Sequence, residues 1–173
     1  MAIPERARPQ RTGEYFAIIT QAIFQAGLSW KLIASQWDAF VRLFENFDPI
    51  LVAAYGEDDI ERIIADGGIV RSRKKIVATI ANARALVEIE RTMTLSMYLR
   101  SFATYEELSR DLRARFAFLG ELSVYYLVFR AGEAVPRFEK WETTIKGDHP
   151  RMREMVAAAR EHGLDETVAI DVG

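Results

Sequence analysis

Cysteine is absent from the 173 residues, and histidine occurs only at His149 and His162. The first absence excludes disulfides and thiolate metal ligands, and two histidines do not make a zinc cluster between them. A metal-free, cofactor-free protein is therefore expected, and a cytosolic setting fits best. Long apolar runs are missing too: none approaches the ~20 residues needed to span a bilayer, and the opening MAIPERARPQRTG lacks the apolar core of a signal peptide. The expectation is an intracellular, cytoplasmic chain with no membrane contact. Positive charge is also short. At a net charge of −2 the chain is not a globally basic nucleic-acid binder, so any contact with DNA must come from a local cluster. One such cluster runs from Arg71 to Lys75.

What is present is hydrophobic patterning with a helical period. Half of the residues are hydrophobic, enough to bury a sizeable core in one domain or two closely packed lobes. Tyr15, Phe16, Ile19, Ile23 and Ala26 recur at helical spacing, and Gly27 ends that helix. Ser29 is an N-cap for a second helix whose stripe is Ile33, Trp37, Phe40, Val41 and Phe44. Asp48-Pro49 starts a short third helix. Glu57 to Ala65 is the fourth, and a long helix runs from about Ser72 through Leu86. Thr104 with Glu107 has capping-box spacing and opens a helix carrying Leu108, Leu112 and Phe116. Another spans Leu122 to Arg130, closed by Gly132 and Pro136. After Pro136 one amphipathic stretch, Met152 to Glu161, is expected. Only the last few residues could read as strand. With no internal repeat or low-complexity linker, the fold class is all-α, a helical bundle. No feature bears on oligomeric state.

Asp66 to Val70 joins two helices through Gly67 and Gly68, a turn in which backbone amides can converge at a helix N-terminus and hold an anion. Arg71, Arg73, Lys74 and Lys75 then fall in the first helical turn, the wrong end for cations by the helix dipole. A docked phosphate resolves that conflict. An ordinary helical hairpin with a solvated basic face is the alternative.

The stretch from Asp59 to Arg84, DIERIIADGGIVRSRKKIVATIANAR, resembles the helix-hairpin-helix segment of the DNA-3-methyladenine glycosylase I family. QAGLSW from Gln25 to Trp30 is similar to that family's pocket signature. FAFLG from Phe116 to Gly120, with the helix up to Gly132, is similar to its later phenylalanine-glycine segment. The resemblance covers roughly Tyr15 to Pro136 and implies a helix-hairpin-helix glycosylase bundle that flips a damaged nucleotide out of duplex DNA and hydrolyses the base–sugar bond. It also implies that Trp30 stacks the extruded base, that Leu28 enters the duplex beside it, and that Gly67, Gly68, Val70, Arg71, Arg73 and Lys75 hold the phosphate backbone. A half-buried packing role for Trp30 and a loop anchor for Leu28 are the ordinary alternatives.

Three departures accompany the likeness. The family's pocket glutamate, eight residues before the tryptophan, falls on Ala22; its zinc-binding cysteines are missing; and its longer N-terminus is replaced by polar, proline-containing residues. The remaining pocket candidates are Gln21 and Gln25, one turn apart on the first helix, with Tyr15 and Phe16. Glu121, after Gly120 at a helix start, is the catalytic candidate, with a plain first-turn acid as its other reading. The chain divides into a polar segment 1–14, a glycosylase-like domain 15–136 with its hairpin near 59–84, and a C-terminal extension 137–173 packed on the same domain. The expected function is excision of an alkylated purine such as 3-methyladenine, with damaged double-stranded DNA as partner. The alternative is a catalytically silent relative that binds damaged DNA.

Overall fold

The computed structural model describes residue 6 and residues 8–163, and all regular structure among them is helical. The fold is all-α. The final residues, the one place where a strand was conceivable, lie outside the described part.

Helix α1 spans Thr12–Gln25 and stops before Gly27, whose φ of 75° turns the chain away. The Ser29 hydroxyl accepts the Leu32 N–H at 3.3 Å and starts α2, Trp30–Ser35. The single helix expected through Phe44 is instead divided: Gln36 breaks it, and α3 covers Trp37–Leu43. Packing gives the reason. After the break Trp37 stacks between Phe40 at 5.3 Å and Phe47 at 5.1 Å, while Phe16 meets Phe47 edge-on. Reaching that stack requires a left-handed turn at Glu45, Asn46 and Phe47, with φ of 52°, 53° and 56°. Left-handed backbone costs roughly 1–2 kcal/mol per residue, offset by burying Phe44 and Phe47 in the aromatic core.

Asp48 then caps α4, Pro49–Ala53, by accepting the Ile50 and Leu51 N–H groups. Helix α5, Glu57–Asp66, ends at the left-handed Gly67, and Ser72 caps α6, Arg73–Glu90. That helix runs a turn beyond Leu86 because Ile89 continues its buried face. A short helix α7, Leu95–Leu99, was not expected, since five residues show no readable period. In α8, Tyr105–Arg115, the Thr104 hydroxyl accepts the Glu107 N–H at 3.2 Å.

Helix α9, Glu121–Arg130, lies at the centre, with every residue from Ser123 to Phe129 buried. It packs against α1 and α8. The C-terminal part holds two α-helices where one was expected, α10 at Phe138–Trp141 and α11 at Pro150–Glu161. Four residues are too few to show a period, yet they place Trp141 in a 4.3 Å stack on Tyr125, whose hydroxyl donates to the Pro136 carbonyl. The N-terminal segment is more than polar covering. Arg6, 7% exposed, donates to the Phe129 and Glu133 carbonyls at 3.0 Å and lies over the Phe129 ring, closing the C-terminal end of α9.

Candidate functional site

The seam between α1 and α9 leads to Trp30. Gln21 and Gln25 lie one turn apart on α1, and Tyr126 and Arg130 lie one turn apart on α9. The Tyr126 ring meets Trp30 edge-on at 5.5 Å between centroids. Arg130 donates to the Tyr126 hydroxyl at 2.6 Å, and both Arg130 and Tyr126 reach the Gln21 Oε1 at 3.4 Å. Burial pushes the Tyr126 phenol up, while the Arg130 charge and the Gln25 carboxamide pull the other way. Gln25 Oε1 is buried with no hydrogen-bond partner among the described residues. Ala22, 4% exposed, fills its place with a methyl group. Tyr126 and Arg130 were missed from sequence; the available signal was a polar i, i+4 pair in the otherwise apolar run VYYLVFR.

The remaining pocket candidates lie elsewhere. Phe16 is fully buried in the aromatic core and has no surface to offer a base. Tyr15 sits ten residues, about 15 Å of helix, from Gln25. Burial raises its phenol pKa, and Glu133 adds to the rise. Glu121 does begin α9, but its side chain is 53% exposed and pairs with Arg113 at 3.7 Å. Five residues at 100° each put it about 140° around the helix from Tyr126. It faces solvent rather than Trp30, because a first-turn acid is stabilised by the helix end wherever that end points. Leu28 is half-buried between Gly27 and Ser29, packed on the edge of the core.

At the hairpin, Gly67 adopts φ 72°, and a Cβ on Gly68 would lie 2.7 Å from the Asp66 carboxylate and 3.0 Å from Ala39. Two of the amides expected to receive phosphate are already used. The Gly68 N–H donates to Asp66 Oδ1 and the Val70 N–H to Gln36 Oε1, which gives the break at Gln36 a second purpose. Asp66 is itself held by both Nη atoms of Arg42 at 3.0 Å, which keeps its carboxyl below the usual range.

The basic cluster divides the same way. Arg73 pairs with Glu57 and Glu61, so carboxylates of α5 answer part of the dipole conflict that a phosphate was expected to resolve. Lys75 reaches back to the Ala26 carbonyl at 2.6 Å and closes the end of α1; burial lowers its pKa. Arg71 and Lys74 are the exposed cations not used in this way. The Arg71→Ala, Lys74→Ala double variant is therefore expected to weaken duplex binding for all sequences. It should reduce the slope of log affinity against log salt by about 0.9 for each phosphate that is no longer neutralised. Lys75→Ala should lower thermal stability instead. An unchanged salt slope in the double variant would move backbone binding away from this hairpin.

The fold and the sequence both match known proteins. The family model described as Methyladenine glycosylase matches residues 6–118. The chain belongs to the methyladenine glycosylase family. DNA-3-methyladenine glycosylase 1 of Escherichia coli (strain K12) is 34% identical over 130 residues, covering 62% of this chain and 70% of that protein. The crystal structure of a 3-methyladenine DNA glycosylase I superposes with a TM-score of 0.66 at 28% identity, covering 75% of this chain and 83% of the other. A variant of 3-methyladenine DNA glycosylase I in complex with 3-methyladenine gives a TM-score of 0.65 at 27% identity, covering 72% and 79%. Within this family the chain carries alanine at position 22 and the Tyr126–Arg130 pair beside Trp30.

Proposed function

We propose that this chain is a DNA base-excision glycosylase of the methyladenine glycosylase family. It flips an altered purine out of duplex DNA, seats the base against Trp30 and hydrolyses the bond between base and sugar. Family membership carries the reading, and the half-buried Trp30 at the mouth of a polar seam supports it locally. In this reading Leu28 enters the space left in the stack, and Gly67, Arg71 and Lys74 face the phosphate backbone. Gln21, Gln25, Tyr126 and Arg130 form the polar wall of the base site. The reading places the protein in the cytoplasm; among the described residues no helix is long and apolar enough to cross a membrane.

Release of free base from methylated duplex by the purified chain, above a no-protein control, tests the proposal. The buried methyl group at Ala22 favours a second reading, a relative that binds damaged DNA without cleaving it. Tight binding to abasic-site duplex with no base released would select that reading. Elemental analysis should find no stoichiometric zinc, and chelator should leave the melting temperature unchanged, since the chain has no cysteine. One zinc per chain would overturn this.

A further inference from the structure

Trp30 is the first residue of α2, a helix of only six residues, and it is half-buried. The Ser29 cap fixes the backbone at this point, but the indole keeps two rotatable bonds of its own. A ring that receives a base has to be set beforehand, to within about 0.5 Å and 10–20°. The ring that meets the indole is Tyr126, with centroids 5.5 Å apart and planes at 80°. An edge-on pair holds its angle because the positive edge of one ring faces the negative face of the other. Whichever ring supplies the edge, Tyr126 leaves at least one indole face uncovered for a base.

Tyr126 is itself held at both ends. It is 3% exposed and lies within the buried stretch of α9 from Ser123 to Phe129. Its hydroxyl receives the Arg130 Nη1 donor at 2.6 Å and reaches Gln21 Oε1 on α1 at 3.4 Å, with the Gln25 carboxamide beside it. Packing alone does not call for that hydroxyl, since phenylalanine has nearly the same volume and shape. What the hydroxyl adds is a tie between the ring and both helices. Because Ala22 offers the base no charge, stacking on Trp30 carries more of the seating, and the plane of the indole matters accordingly.

We propose that Tyr126 is a positioning residue: tied to α1 and α9 through its hydroxyl, it sets the plane of the Trp30 indole on which the base is seated. The inference rests on the glycosylase reading and adds to it a residue that acts through Trp30 without touching the reacting atoms.

The test uses the full chain and methylated duplex under single-turnover conditions, with rates normalised to folded protein. Tyr126→Phe should lower the maximal rate of base release about 10-fold, and the protein concentration giving half of that rate should change less than about 2-fold. In a Trp30→Ala background the same substitution should cost less than about 2-fold, because the ring to be positioned is gone. Gln21→Leu, which cuts the tie to α1 and keeps the phenol, should give a smaller loss with the same dependence on Trp30.

The orientation itself is read by ¹⁹F spectra of protein carrying 5-fluorotryptophan at its three tryptophans. The Trp30 resonance, identified by its loss in Trp30→Phe, should shift or broaden in Tyr126→Phe, while those of Trp37 and Trp141 stay in place and report an intact fold. An equal loss of rate in both backgrounds, an unchanged rate in Tyr126→Phe, or a Trp30 resonance that does not move would overturn the inference and leave the glycosylase reading standing. Release of no base by the wild-type chain would overturn both.

Discussion

Trp30→Ala is expected to cut release of free base about 30-fold under single-turnover conditions, while the protein stays folded. The indole is half-buried, its first-turn position on α2 fixed by the Ser29 cap, and one side of it contacts Tyr126. Stacking an extruded base on an aromatic face is worth roughly 1–3 kcal/mol, and a desolvated cation–π contact reaches about 2 kcal/mol. The cation–π figure and the upper part of the stacking range exceed what removal of one edge-on contact with Tyr126 takes from stability, about 0.5–1.5 kcal/mol. Function should therefore suffer more than folding. Trp30→Phe keeps an aromatic face and should recover much of the rate. If Trp30→Ala matches the wild type at equal folded fraction, the base does not sit on this residue.

A larger effect on stability is expected at the far end of the same seam. Arg100→Met should destabilise the fold by about 3 kcal/mol in urea unfolding. Glu133 has a side chain only 8% exposed, and Arg100 holds both its oxygens, Nε to Oε2 and Nη2 to Oε1, each at 3.0 Å. Removing the guanidinium leaves an unpaired carboxylate in a site that already contains the Tyr15 hydroxyl, buried with no hydrogen-bond partner among the described residues. Adding Glu133→Gln to the Met variant removes the stranded charge and should restore part of the loss. The interaction energy of that double-mutant cycle separates the pair from the rest of its surroundings. A single-variant loss below about 1 kcal/mol would mean that the pair is screened like a surface ion pair.

Legibility followed the length and locality of each signal. The long helices α1, α6 and α8 were readable because ten or more residues repeat an apolar face, and α9 because its whole length is an apolar run; their ends carry local chemistry at Gly27, Ser72, Thr104 and Gly120. Helices α7 and α10 were not, because four or five residues hold no period. The division between α2 and α3 was invisible for a different reason. Nothing near Gln36 in sequence signals a break; the cause lies with Phe47 and Val70, residues brought there by later parts of the chain.

The amino-acid sequence by itself determined the helical class, the hairpin at Gly67 and Gly68, the family likeness, and the exclusion of thiolate metal sites. Each of these depends on residue identities at short spacing or on an outright absence. Only the tertiary structure decided which charges are available. Arg73 and Lys75 belong to the same basic run as Arg71 and Lys74, yet α5 carboxylates and the end of α1 engage the first two. Likewise only the packing of α9 on α1 brings Arg130 and Tyr126 to Gln21 and Trp30, a meeting of residues about a hundred positions apart in the chain. Local pattern fixes what a side chain can do, and long-range packing fixes what it has left to do it with.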